Sequence, residues 1–189
     1  MTVWYSTAKR FSTVFRGARI NVFVEHLGEN YATLDALVKK AHVGEITLTG
    51  SVSVSRGNAM AQLLCTVLCM PPSAASVPLT VRGSHCSDKM LWARDFGGVK
   101  MTSCFVKDGD FLVEQMGPIK LWLKLTSENG TLRYKLMKAS CLGFTLLKRF
   151  SPTLEAFESE DSGFYVFGVR ISLPLIGKLI EYQGKLVLG

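Results

Sequence analysis

From residue 77 to the C-terminus, apolar and polar positions alternate with a period of two, in short runs broken by Gly, Asp, Asn or Pro. Such alternation places one set of side chains on a buried face and the other in solvent, as half-buried strands require. It predicts strands near 78–83, 89–96, 99–107, 111–116, 119–126, 131–138, 153–159, 163–172 and 178–187. Short connections make successive strands antiparallel neighbours, and a sheet of about nine strands tends to curl or close. Upstream, residues 21–44 read as a short helix, a Gly-centred break and a second helix, followed by a Thr- and Val-rich strand over 45–55. The run AMAQLLCTVLCM (59–70), stopped by Pro71-Pro72, is an uncharged helix. Apolar on every side, it reads as buried within the protein, with a membrane-inserting lid as the alternative. The predicted class is therefore α+β: a curved, largely antiparallel sheet or open β-barrel of about nine strands packed on an apolar helix.

Turn chemistry extends the pattern to a register. With Gly97-Gly98 as a two-residue turn, Phe96 faces Val99, Arg94 faces Met101 and Trp92 faces Ser103. With Asp108-Gly109 as the next turn, Lys107 faces Asp110, Phe105 faces Leu112 and Ser103 faces Glu114. Opposed residues share a face, so one face carries Trp92, Arg94, Phe96, Val99, Met101, Ser103, Phe105, Leu112, Glu114 and Met116. It is apolar except for Arg94, Ser103 and Glu114, which cluster. A buried arginine needs a partner, so the cluster is either a structural ion pair or the polar end of an apolar pocket. Leu123, Leu125, Tyr134 and Leu136 continue the apolar face across an Asn129-Gly130 hairpin. On the other face Lys124 meets Lys135, with Trp122, Lys120, Arg133, Lys138, Lys148 and Arg149 nearby. That face is either solvated or fitted to anionic lipid or an acidic partner.

Charge narrows the function classes. The formal net charge is +7, but four of the basic residues, Lys9, Arg10, Arg16 and Arg19, lie in an acid-free leader. The remaining chain is nearly balanced and carries no nucleic-acid footprint. Residues 1–20 read as a basic amphipathic leader, either a transit peptide or an extension, ahead of a single domain over 21–189. The location expected is intracellular, and organellar (mitochondrial or plastid) if the leader is a transit peptide. Five cysteines without a secretory signal favour free thiols that pack as small apolar residues. The alternative, a zinc site from Cys65, Cys69, His85 and Cys86, has no familiar ligand spacing, so no metal is expected. No stretch is long and apolar enough to be a transmembrane helix.

The stretch LWARDFGG (91–98) contains the Asp-Phe-Gly of protein kinases, yet the chain has neither a Gly-rich phosphate loop nor an H-R-D loop. Asp95 instead faces Lys100, on the side of the strand opposite Arg94. No dinucleotide fingerprint is present either, so no cofactor is expected on this chain.

From about Val22 to Leu188 the chain resembles the domain of unknown function 4166 family. The resemblance rests on SRGN at Arg56-Gly57, the helix ending at Pro71, WARDFGG, Ser103, EQMGP with Glu114, and the closing FYVFGVRISLPLIGKLIEYQGKL. Where the family often has LGLPLP, this chain has LGFTLLKRFSP, matching at Gly143 and Pro152 only. The family occurs alone or behind a nucleotide-binding domain like that of saccharopine dehydrogenase. The resemblance thus implies a ligand-holding or accessory role beside a nucleotide-dependent oxidoreductase acting in trans. The residues matching its marks are Arg56, Trp92, Arg94, Phe96, Ser103 and Glu114, of which all but Arg56 share the inner face.

Three functions are compatible with the sequence. The first is non-catalytic binding of a small lipophilic or carboxylate-bearing molecule. Here Arg94 meets its polar group, Ser103 and Glu114 orient Arg94, Trp92, Phe96 and Met101 form the wall, and Arg56 belongs to the same site. The second is an enzyme with Glu114 as general acid or base. The third is a protein-interaction or peripheral membrane module acting through the basic sheet face.

Overall fold

The computed structural model describes residues 21–189, so the leader lies outside the described residues. Eleven strands form one all-antiparallel sheet. In chain order they are β1 (Gly44–Arg56), β2 (Ala74–His85), β3 (Met90–Phe96), β4 (Val99–Asp108), β5 (Phe111–Met116), β6 (Ile119–Glu128), β7 (Thr131–Cys141), β8 (Phe144–Thr145), β9 (Thr153–Asp161), β10 (Phe164–Leu173) and β11 (Gly177–Leu188). Ten of them make a closed ring in the order β6-β5-β4-β3-β2-β1-β11-β10-β9-β7, sealed by pairing of β6 with β7, while β8 adds only to β7. The expectation of an open sheet of about nine strands is corrected to a closed barrel of ten. Closure removes the unpaired edges that an open sheet would expose.

Among the described residues three short α-helices accompany the barrel: α1 (Val22–Leu27), α2 (Ala36–Ala41) and α3 (Ala59–Val67). The first two plug one end, where Phe23, Val38 and Ala41 are fully buried. Asp35 fastens them, accepting from the Glu160 amide at 3.0 Å, while the Glu160 side chain accepts from the Leu37 amide at 2.9 Å. The third lies at the opposite end, against β11 and β1. It starts on an Asn58 cap that accepts from Ala61 N at 3.1 Å, and stops where Cys69 turns left-handed (φ 52°) ahead of the prolines.

The sheet is thus not wrapped around an apolar helix, contrary to the sequence expectation. Only Ala61 and Cys65 of α3 are buried, and Met60, Leu63, Val67 and Leu68 face outward. The barrel fills itself instead. Inward positions of successive strands, among them Leu48, Leu79, Phe96, Leu112, Leu123, Leu132, Ile180 and Leu186, form the core.

The β3–β4 register is the one the Gly97-Gly98 turn predicts. The β4–β5 register is not: Asp108 pairs with Phe111, and Glu114 stands opposite Phe105 rather than Ser103. The reason is turn chemistry. Gly109 (φ 58°) takes the first of the two central positions, so the turn is Gly109-Asp110. The correction moves the pairing by two residues, which preserves every inward position.

Candidate functional site

Strand β3 points Trp92, Arg94 and Phe96 into the barrel, β4 adds Met101 and Ser103, and β5 adds Glu114. Arg94 Nη1 donates to Ser103 Oγ at 2.7 Å, and Nη2 lies 3.6 Å from Glu114 Oε1. Both charged side chains are largely buried, at 14% and 11% exposure. The guanidinium also sits 5.5 Å from the Trp92 ring centroid, within range of a cation–π contact. One predicted wall residue plays another part: Phe96 packs edge-on against Tyr182 at 5.4 Å and does not line the cavity described below. Ser103, expected to orient Arg94, is fully buried and does not line that cavity either.

Arg56 is not part of this cluster. At the end of β1, it donates through Nε to Pro71 O at 2.9 Å, through Nη1 to Thr66 Oγ1 at 3.1 Å, and through Nη2 to Met70 O. Its role is to satisfy carbonyls left open where α3 ends. The neighbouring Gly57 allows that helix to approach β11, since a Cβ there would stand 1.8 Å from Lys178 O.

Across the lumen stands a second polar group, which sequence reasoning missed. Tyr134 of β7 donates to Glu158 Oε1 of β9 at 2.7 Å. Glu158 Oε2 lies 3.4 Å from Nε2 of His42, the residue that ends α2. Tyr165 of β10 and Tyr182 of β11 face the same space. His42 is held by Phe23, stacked at 3.8 Å, and by a 2.9 Å contact from Nδ1 to Val38 O. A carbonyl can only accept, so Nδ1 carries hydrogen. Nε2 and the Glu158 carboxylate then need one further proton between them to sit together favourably. Glu158 was legible in principle, because it falls in phase with Leu154 and Ala156 on an alternating run. His42 was not, because its position depends on how α2 plugs the barrel.

These residues line a cavity of about 80 Å³ inside the barrel. Trp92 Nε1 and Tyr165 Oη, both on its lining, have no hydrogen-bond partner among the described residues, and Glu158 Oε2 has only its 3.4 Å contact with His42 Nε2. Burial and the Glu158 charge push Tyr165 and Tyr134 well above the usual phenol range, and burial raises Tyr182. All three therefore remain neutral hydrogen-bond donors at neutral pH. Burial opposes the charge on Arg94, but the surrounding acidic groups more than offset it, and the guanidinium stays charged. His85, at the end of β2, is lowered to about 4, by burial first and then by His42.

The remaining sequence candidates separate. Cys65 lies buried under α3, donating to Leu179 O at 3.5 Å, whereas His85 and Cys86 belong to the opposite end of the barrel. The four residues of the zinc alternative are therefore not brought together. Of the five thiols only Cys65 is buried, so the reading of all five as core residues is corrected as well. Asp95 pairs across the sheet with Lys100 and accepts from Gly98 N at 2.6 Å, which makes it a turn residue.

No curated protein and no solved structure matches the chain. A family match does exist, over most of the length and across every strand of the barrel that carries the polar cluster. Residues 34–186 match the domain of unknown function DUF4166, and the chain belongs to that family.

Proposed function

We propose that the barrel is a non-catalytic binding protein for a small, mainly apolar molecule carrying a neutral oxygen group such as a hydroxyl or carbonyl. One observation carries this reading: two buried donors, Trp92 Nε1 and Tyr165 Oη, converge on a single cavity without a hydrogen-bond partner, beside the Glu158 carboxylate. Binding sites combine apolar walls with a few convergent polar groups in this way. Charge favours a neutral guest. With the proton that His42 and Glu158 require, Arg94, His42, Glu114 and Glu158 sum to zero, and a carboxylate would leave buried negative charge uncompensated. At about 80 Å³ the space is below the roughly 300–1,000 Å³ of drug-sized pockets. Met70, Met101 and Met116 line it, and their unbranched side chains are those best able to shift for a longer guest.

Native mass spectrometry of the full chain tests the reading. A co-purifying mass is expected in wild type and lost in Tyr165→Phe and Trp92→Phe. Freed of an unpartnered hydroxyl, guest-free Tyr165→Phe should be more stable than wild type by about 1–3 kcal/mol. An apo mass in every protein, with Tyr165→Phe less stable, overturns it. An accessory role beside a separate nucleotide-dependent oxidoreductase adds one requirement: the released guest must contain a carbonyl, imine or alcohol open to hydride transfer.

A second reading rests on the His42–Glu158–Tyr134 chain, a positioned acid–base relay that shares the cavity with Glu114. In an enzyme of this kind, Glu114→Gln and Glu158→Gln abolish turnover of the identified guest while leaving its retention intact. Unchanged guest chemistry after prolonged incubation with wild type excludes it.

A further inference from the structure

Strands alternate direction around the barrel, so its connections fall into two sets of different chemistry. At the end plugged by α1 and α2, the connections carry Glu25, Glu29, Asp35, Asp88 and Asp110 interspersed with Lys39, Lys40 and Lys89. At the α3 end, connections 57–73, 97–98, 117–118, 142–152 and 174–176 contain no acidic residue. Lys148 and Arg149 lie in one of them, and exposed Lys120 and Lys138 flank it on β6 and β7. None of these four cations has an acidic partner among the described residues.

The same end exposes large apolar side chains on three connections that are neighbours around the rim. On α3, Leu63 and Val67 face solvent, Val67 at 70% exposure. Leu175, at the tip of the β10–β11 turn, is 98% exposed. In the β7–β9 connection Phe144 is 76% exposed, and Leu147 and Phe150 also stand out. Singly exposed apolar residues are ordinary; three adjacent tips, one of them flanked by four cations without acidic partners, are not.

We propose that the α3 end of the barrel docks on an anionic bilayer, with the three apolar tips entering the interface and Lys120, Lys138, Lys148 and Arg149 meeting the headgroups. Separate protruding tips suit a fluid interface better than a packed protein interface, which needs one contiguous complementary patch. A second copy is disfavoured because a symmetric contact would set the four cations against the same four. This docking surface is independent of the guest inside the barrel.

Flotation of the full chain with phosphatidylcholine vesicles, with and without about a third phosphatidylserine, tests the proposal. Binding is expected only with the anionic lipid, since each basic residue near such a surface contributes about fivefold in partitioning. Lys148→Glu with Arg149→Glu should reduce binding at least tenfold by that scale, roughly, and Leu175→Asp or Phe144→Asp should reduce it without changing the melting temperature. Lys124→Glu with Lys135→Glu, on the barrel wall, should leave it unchanged. All these variants lie outside the basic leader, so a loss cannot be credited to that segment. No binding by wild type, equal binding to neutral vesicles, or loss in the wall variant instead of the end variant overturns the proposal. So does a solution dimer that Leu175→Asp dissociates.

Discussion

Replacing Arg94 by Met tests whether the inner ion pair is a net stabiliser or a constraint kept for another purpose. The substitution keeps most of the apolar stem but leaves Glu114, 11% exposed and previously 3.6 Å from the guanidinium, as an uncompensated charge. Breaking a buried pair from one side costs about 3–5 kcal/mol. For a domain of this size that is a fall in melting temperature of about 6–20 °C. Glu114→Leu alone strands Arg94 in the same way. The double variant removes both charges, and replacement of a buried pair by apolar residues is often neutral. It should therefore lie within about 1 kcal/mol of wild type, giving a coupling energy of several kcal/mol between adjacent sites. Urea unfolding followed by tryptophan fluorescence reports directly, since Trp92 adjoins Arg94. Additive losses in the double variant would refute the pairing, and a cost below about 1 kcal/mol for Arg94→Met would refute its burial.

Other outcomes follow from the two barrel ends. His85, lowered to about 4, stays neutral when folded, while the unfolded chain takes up its proton near pH 6.5. The unfolded state therefore binds more protons between those values, and stability declines as pH falls through that window, by about 2 kcal/mol at pH 5. His85→Leu should remove that dependence from urea midpoints measured at pH 7 and 5. At the opposite end, Gly57→Ala forces a methyl to within 1.8 Å of Lys178 O. The expected loss is about 3 kcal/mol or more, with proteolytic cleavage appearing first around α3.

What the sequence discloses about this barrel depends on how local the determining interaction is. Trp92, Arg94 and Ser103 were placed together because two glycines fix a hairpin whose partners lie within a dozen positions. Glu114 joined them despite a mistaken turn, because a two-residue shift leaves the face of a strand unchanged. Ring closure was not legible. It needs β11 to pair with β1 and β9 to return to β7, contacts between segments distant in the chain and marked by no turn signal. The lumen groups on β7, β9, β10 and β11 meet Arg94 only through that closure. α3 misled for a different reason. An uncharged helix has the same composition whether it is buried or merely docked by its small residues, and here Ala61 and Cys65 face the barrel while the larger side chains do not.

Stability alone gives no reason for the chemistry inside this barrel. Phenylalanine in place of Tyr165 would fill the core without leaving a donor unpartnered. Each such buried group costs about 1–3 kcal/mol against a total stability of roughly 5–15 kcal/mol. A second carboxylate in the lumen adds to that cost, held by the Tyr134 hydroxyl at 2.7 Å and by His42 at 3.4 Å. These costs fall around one cavity rather than being scattered through the core, and that concentration is what the proposed binding role explains. Arg94, already paired with Glu114, lies 5.5 Å from the ring of Trp92, whose indole borders the same cavity as Tyr165 and Glu158.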